Sequence, residues 1–203
     1  MSRRKILDPK GLNFLTLTVV GWIDVFSRVS LRNIVLDNLD YCRKNKGLLI
    51  YAYVIMTNHL HLVAQIKKDY PESLGEVISH FKRYTGHHLI NSIHSEKESR
   101  KEWILHMLKY YARGSRSNRT NQFWKEDNFP TALYSDKVIW EKIHYIHQNP
   151  VRAGIVDQAE HYLYSSASNY VDGMNRGLIE VDLMEPFLPD SGYIFIPDEH
   201  RPI

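Results

Sequence analysis

Residues 48–66 read LLIYAYVIMTNHLHLVAQI, and this stretch decides how the chain folds. Its first half, residues 48–56, is a near-continuous apolar run, the pattern of a strand buried on both faces. Its second half, His59 to Ile66, alternates, with Leu60, Leu62, Ala64 and Ile66 apolar at every second position. Thr57 and Asn58 form a tight turn, so the two halves predict an antiparallel hairpin. Side chains alternate across a strand, which sends the apolar set to the core and puts His59 and His61 together on the opposite face.

Working outward, residues 12–20 (LNFLTLTVV) are rich in β-branched and aromatic types and predict the first strand. Residues 21–28 read as a loop. Ser30 caps a helix through Asn45, with Leu31, Ile34, Val35, Leu39 and Tyr41 at roughly helical spacing and Gly47 as its stop. After the hairpin, Leu74, Val77, Ile78, Phe81, Leu89 and Ile90 predict a second helix over residues 71–93, with Gly86 a weak point in its middle. A third helix covers residues 102–112, a polar basic loop residues 114–122, and a short strand residues 131–134. Ser135 or Asp136 caps the last helix, and Pro150 ends it. This order predicts an α+β fold: a ferredoxin-like antiparallel sheet with helices on one face, the other face partly free for a ligand.

A chain of 203 residues with 43% hydrophobic content buries one good core and has room for an extension. The single cysteine, Cys42, allows no internal disulfide and no multi-thiolate zinc site. Residues 1–10 are basic and polar rather than apolar, and no apolar run reaches membrane-spanning length, so a soluble, cytoplasmic protein without a membrane partner is expected. Charge is uneven. Residues 1–155 hold 24 Lys and Arg against 14 Asp and Glu, whereas residues 156–203 hold 2 against 9, giving blocks of +10 and −7. A basic body favours a polyanion through phosphate contacts and counterion release. The fingerprints GxGxxG, GxxxxGK[ST] and HExxH are absent, which leaves dehydrogenase, P-loop and zincin readings without support.

Two imidazoles one strand step of two apart reach a single divalent cation, and imidazole suits Mn, Zn, Fe or Ni better than Mg. Polar residues on a solvated strand face would read the same way, and His87 with His88 or His144 with His147 make comparable pairs. What favours His59 and His61 is their place at the turn of the most apolar strand, where a rigid scaffold can hold ligands. In the last helix Ile139, Ile143 and Ile146 mark the packing face. Tyr145 lies about 200° round from Ile143, with Lys142 and Asn149 near it. Its ring either covers a neighbouring element or serves chemistry. Asn149 offers an amide oxygen to complete a metal site, though Asn before Pro is also an ordinary helix terminator.

The blocks VIMTNHLHL (residues 54–62) and IHYIHQNPVRAGIV (residues 143–156) resemble the HUH single-tyrosine transposases, the REP-associated branch in particular. The similarity spans roughly residues 12–170 in element order, and the second block is its most specific part. It implies the HUH fold and a catalytic domain over residues 1–172; the acidic C-terminal extension over residues 173–203 is a departure from the pattern, and its role is open. It also implies a divalent metal ion, Mg or Mn, on His59, His61 and Asn149, with Tyr145 as nucleophile. The implied substrate is single-stranded DNA near a hairpin, cut and rejoined through a 5′-phosphotyrosine by a monomer or homodimer. Asn149 stands where insertion-sequence relatives use glutamine; the REP-associated branch tolerates asparagine. Single-stranded DNA needs a basic track and aromatic platforms. The expected set is Lys82 and Arg83 on the second helix, Arg113, Arg116 and Arg119 in the polar loop, and Trp124, Lys125 and Arg152 nearer the tyrosine. A non-catalytic DNA-binding module and a nuclease that uses water are the alternatives.

Overall fold

The computed structural model describes residue 6 and residues 8–95, 99–113 and 120–185. Its sheet runs in the order β2-β3-β1-β4, every neighbouring pair antiparallel, with β1 at Asn13–Thr18, β2 at Leu48–Ile55, β3 at His59–Ile66 and β4 at Thr131–Ala132. The helices are α1 (Val29–Asn45), α2 (Leu74–Ser95), α3 (Lys101–Ala112), α4 (Asp136–Arg152) and the short α5 (Ala167–Tyr170). This is the expected α+β architecture, and the β2–β3 hairpin, the seed of the sheet, falls where the alternation put it.

The register explains the two faces. Leu15 pairs with Leu62 and Leu17 with Leu60, and Tyr53 and Ile55 of β2 join the same side, all fully buried. They share one apolar core with the stripes Leu31, Val35, Leu39 of α1 and Leu74, Val77, Ile78, Phe81, Leu89 of α2. On the reverse side Phe14 pairs with Val63, Thr16 with His61 and Thr18 with His59. A shift in register between Ile50 and Ala52 keeps both halves of β2 in step with these faces, as a bulge does.

The reverse side is not the partly free surface that the sequence suggests. α4 lies over it, with Tyr145 in ring contact with Phe14 and His61. The helix is seated by Ile139, Ile143, Ile146 and Pro150, all buried. One flank presents Tyr145 to β1 and β3. On the other flank His147 Nε2 is 2.9 Å from Ser166 Oγ, in the segment that bridges to β2 at Val54. Nor does Pro150 end this helix. The lost N–H falls in the last turn, and the stop comes at Gly154, whose φ of +66° is left-handed. Gly154 N–H donates to the Val151 carbonyl and Ile155 N–H to the Pro150 carbonyl, the paired bonds of a Schellman motif.

Two further expectations shift for local reasons. α1 begins at Val29 with Arg28 at the cap position, so Ser30 lies inside it; Gly47, φ +61°, follows its end as read from the sequence. Gly86 does not interrupt α2: the helix runs through it unbroken, with Phe123 and Trp124 packed against its bare Cα side. Residues 173–185 fold back onto the body. Asp182 exchanges hydrogen bonds with Ile50, Arg43 pairs with Glu180 at 2.9 Å, and Ile179 and Val181 are buried.

Candidate active site

The turn between β2 and β3 is pinned from outside: Phe26 N–H donates to the Thr57 carbonyl and Val19 N–H to the Asn58 carbonyl. His59 and His61 leave this anchored turn on one face, their ring centroids 4.6 Å apart and nearly perpendicular at 73°. His59 Nδ1 lies 2.6 Å from Asn58 Oδ1, an oxygen that can only accept, so the ring proton sits on Nδ1 and Nε2 carries a bare lone pair. His61 Nδ1 lies 2.8 Å from Thr16 Oγ1. Metal-binding histidines are typically held in this way, one nitrogen fixed by an oxygen and the other offered.

Burial pushes His59 down to about 4 and His61 down to about 3, the latter lowered further by His59 and Lys142. Both rings are therefore neutral near pH 7, the protonation state a metal ligand needs. The donor set fits a divalent cation through two neutral imidazoles. Among the described residues no cluster of three or more His, Cys, Asp and Glu is present, so two imidazoles alone would leave coordination positions of such a cation to other donors.

Tyr145 comes to the same place from α4. Its ring is 5.4 Å from that of His61, edge to face, and 5.9 Å from Phe14, which in turn stacks on His61 at 5.2 Å. Two cations flank the phenol: Lys142 Nζ 5.7 Å and the Arg152 guanidinium 5.6 Å from its ring centroid. Asn149, one turn further on, donates Nδ2–H to the Tyr145 backbone carbonyl at 2.7 Å. That bond fixes the carboxamide and leaves Oδ1 as its acceptor end. The arrangement gathers two metal-ready nitrogens, a half-buried phenol and two positive charges around one point of the sheet.

The other expected DNA contacts separate. Arg152 belongs to the phenol's surroundings. Arg83 and Arg113 are exposed, on α2 and just past α3. Arg116 and Arg119 lie outside the described residues. Lys82 holds the 125–128 loop: its ammonium donates to the carbonyls of Lys125 (2.5 Å) and Glu126 (3.2 Å) and to Asn128 Oδ1 (2.6 Å). Trp124 is a correction. It is 4% exposed, bridges to Val19 and donates its indole N–H to Thr85 Oγ1, so its ring belongs to the core and offers no face to a base.

Lys125 is half-buried, its ammonium 4.1 Å from the centroid of Trp22. Burial lowers its pKa. Trp22 stands edge-on to His59, ring centroids 6.1 Å apart. Sequence reading passed over Thr16, Asn58 and Trp22. Asn58 was visible only as a turn residue, Thr16 becomes visible once β1 is set beside β3, and Trp22 sat in a loop without periodicity.

No family model matches the chain, and no curated protein matches it. Among solved structures the chain is similar to the REP-associated tyrosine transposase bound to a REP hairpin, with a TM-score of 0.57 over 85% of this chain and 86% of that one, at 16% identity. The likeness is one of fold, and it holds across nearly the whole of both chains.

Proposed function

We propose that this chain is a metal-dependent enzyme that nicks and rejoins single-stranded DNA near hairpins, with Tyr145 as the attacking group. The observation that carries the reading is the contact of the Tyr145 ring with His61, itself paired with His59, both imidazoles neutral and oriented. Fold likeness to a hairpin-bound tyrosine transposase and the basic character of residues 1–155 support it. His59 Nε2, His61 Nε2 and Asn149 Oδ1 are the donors for a divalent ion, Mg or Mn. Such an ion, when bound, would supply Lewis-acid stabilisation of charge on the scissile phosphate.

In this reading Tyr145 Oη attacks phosphorus in line, the phenol proton passing to solvent. The bond from phosphorus to the 3′ oxygen breaks, leaving a 5′-phosphotyrosine on one strand and a free 3′-hydroxyl on the other. One phosphodiester has replaced another, so a 3′-hydroxyl can reverse the step without a nucleotide cofactor. Lys142 and Arg152 place positive charge over the ring whose oxygen becomes anionic, in a half-buried setting where such charge counts most. Phe14 and His61 hold the ring from beneath, so the phenol meets the phosphate from one direction. All the residues given roles lie within residues 1–172, the chain acts as a monomer or homodimer, and residues 173–185 pack onto this unit at β2.

One gel tests this. Protein, Mn or Mg, and an end-labelled hairpin with single-stranded flanks are mixed, then denatured. Label migrating with wild-type protein only when metal is present, and lost in Tyr145→Phe, is the expected result. An adduct persisting in Tyr145→Phe overturns the nucleophile, cutting without any adduct identifies a water-using nuclease, and retention without cutting identifies a binding module.

A further inference from the structure

Trp22 combines two anomalies at the edge of the histidine pair. Around it Val19, Val20, Ile23, Val25 and Phe26 are buried, yet Trp22 is 56% exposed. Its φ is +56°, a left-handed conformation rarely adopted by a bulky side chain. Gly21 before it is also left-handed, at +63°, and lies so close to the Tyr111 ring that a Cβ there would approach to 2.7 Å. These two successive turns swing the indole out of the core that its neighbours enter. An aromatic ring of this size ordinarily gains by burial, so a strained conformation that exposes it calls for a use of the ring.

What surrounds the ring says which use. Lys125 stands over it, and His59 lies at its edge. The Trp22 carbonyl accepts a hydrogen bond from Asn58 Nδ2 at 3.3 Å, while Asn58 Oδ1 holds His59. The indole is thus rigidly referenced to the histidine pair and backed by a cation, the combination of stacking surface and positive charge that single-stranded nucleic acid requires.

Building on the nicking-and-joining reading, we infer that Trp22 is the platform on which an unpaired base next to the scissile phosphate stacks, with Lys125 meeting the adjoining backbone phosphate. It takes the aromatic role that the sequence had assigned to Trp124. A stack beside the histidine pair would fix the strand's path into the site for any base, since every base has a π-face. Trp22 is on this account a positioning residue.

The test compares two probes, a hairpin with oligothymidine flanks and the same hairpin with abasic flanks, in EDTA so that no strand is cut. Binding is read by anisotropy, and folding by thermal melting. Trp22→Ala is expected to weaken retention of the thymidine-flanked probe about 5- to 150-fold while leaving the abasic probe within about twofold, and Trp22→Phe is expected to keep most of the affinity. Trp22→Gly should lose binding like alanine but melt no lower than wild type, since glycine accepts the positive φ. Wild type that fails to hold either probe removes the single-strand reading itself. Wild type that binds, with Trp22→Ala unchanged or equally weakened on both probes, removes only the stacking role. A Trp22→Gly protein that unfolds makes the ring structural. A dimer by sedimentation that Trp22→Ala dissociates, with DNA retention unchanged, assigns the ring to a second copy and overturns the inference.

Discussion

Thr16 stands opposite His61 in the register between β1 and β3, and its Oγ1 lies 2.8 Å from His61 Nδ1. Asn58 does the same for His59 at 2.6 Å. Two rings on one strand are thereby held by two unrelated side chains, one across the sheet and one in the turn. Each oxygen fixes where its ring presents the free nitrogen, which makes these contacts the support on which any metal site here depends.

Thr16→Val keeps the shape of the side chain and removes only the oxygen. Mn affinity, followed by calorimetry, should fall about 10- to 100-fold. Stability should fall by no more than one buried hydrogen bond, about 1–3 kcal/mol. Unchanged Mn binding would take His61 out of the ligand set.

Lys142→Met removes the ammonium near Tyr145 and Phe14 while keeping a long apolar stem. Adduct formation with the labelled hairpin should slow about tenfold or more, and retention of the DNA should change much less, because the charge matters most as the phenol oxygen becomes anionic. Equal losses in both would make Lys142 a general phosphate contact.

Acid should destabilise the protein in a defined window. Burial lowers His59 to about 4, and His61 and His147 to about 3, against an unfolded value of about 6.5. Depressed histidines bind protons more readily unfolded than folded. Their contribution is full above pH ~6.5 and is lost progressively as pH falls towards 3. Urea midpoints measured in EDTA should therefore decline from pH 7 to pH 4.5; a flat profile would contradict the burial of these rings.

Cys42 is buried, and burial is the first cause that raises its thiol to about 11. At pH 8 it should resist a disulfide reagent in the native protein and react fully in denaturant. Rapid native labelling would mean that α1 opens readily from the core.

Gly86 and Gly47 should respond oppositely to alanine. At Gly86 a Cβ meets Phe123 at an ordinary 3.5 Å inside a helix, so alanine should be neutral or stabilise by up to about 1 kcal/mol. At Gly47, φ is +61° and a Cβ would come within 2.7 Å of Tyr70, so alanine should cost more than about 1 kcal/mol. Chemical denaturation of the two variants checks both signs.

Much of the fold is written in local periodicity. The hairpin, the two faces of β3, the span of α3 to within a residue and the apolar stripe of α4 follow from spacings of two and of three to four, which are properties of strand and helix geometry. Spacing put His59 with His61 on one strand face and Tyr145 with Asn149 on one helix face, but the chemical roles proposed for them come from the resemblance of residues 54–62 and 143–156 to the HUH single-tyrosine transposases. Pro150 misled because a single breaker residue outweighed the Gly154 stop that the chain uses. Trp124 misled because a tryptophan near cations reads the same whether it is buried or exposed.

By itself the sequence determined which residues share a face, since that depends only on the turn of the backbone. Tertiary structure alone decided that α4 crosses the histidine face, that Thr16 faces His61, and that the exposed indole beside the histidines is Trp22 while Trp124 is buried. These relations join residues far apart in the chain, and they are set by which apolar surfaces find each other when water is excluded, a competition that no local spacing records.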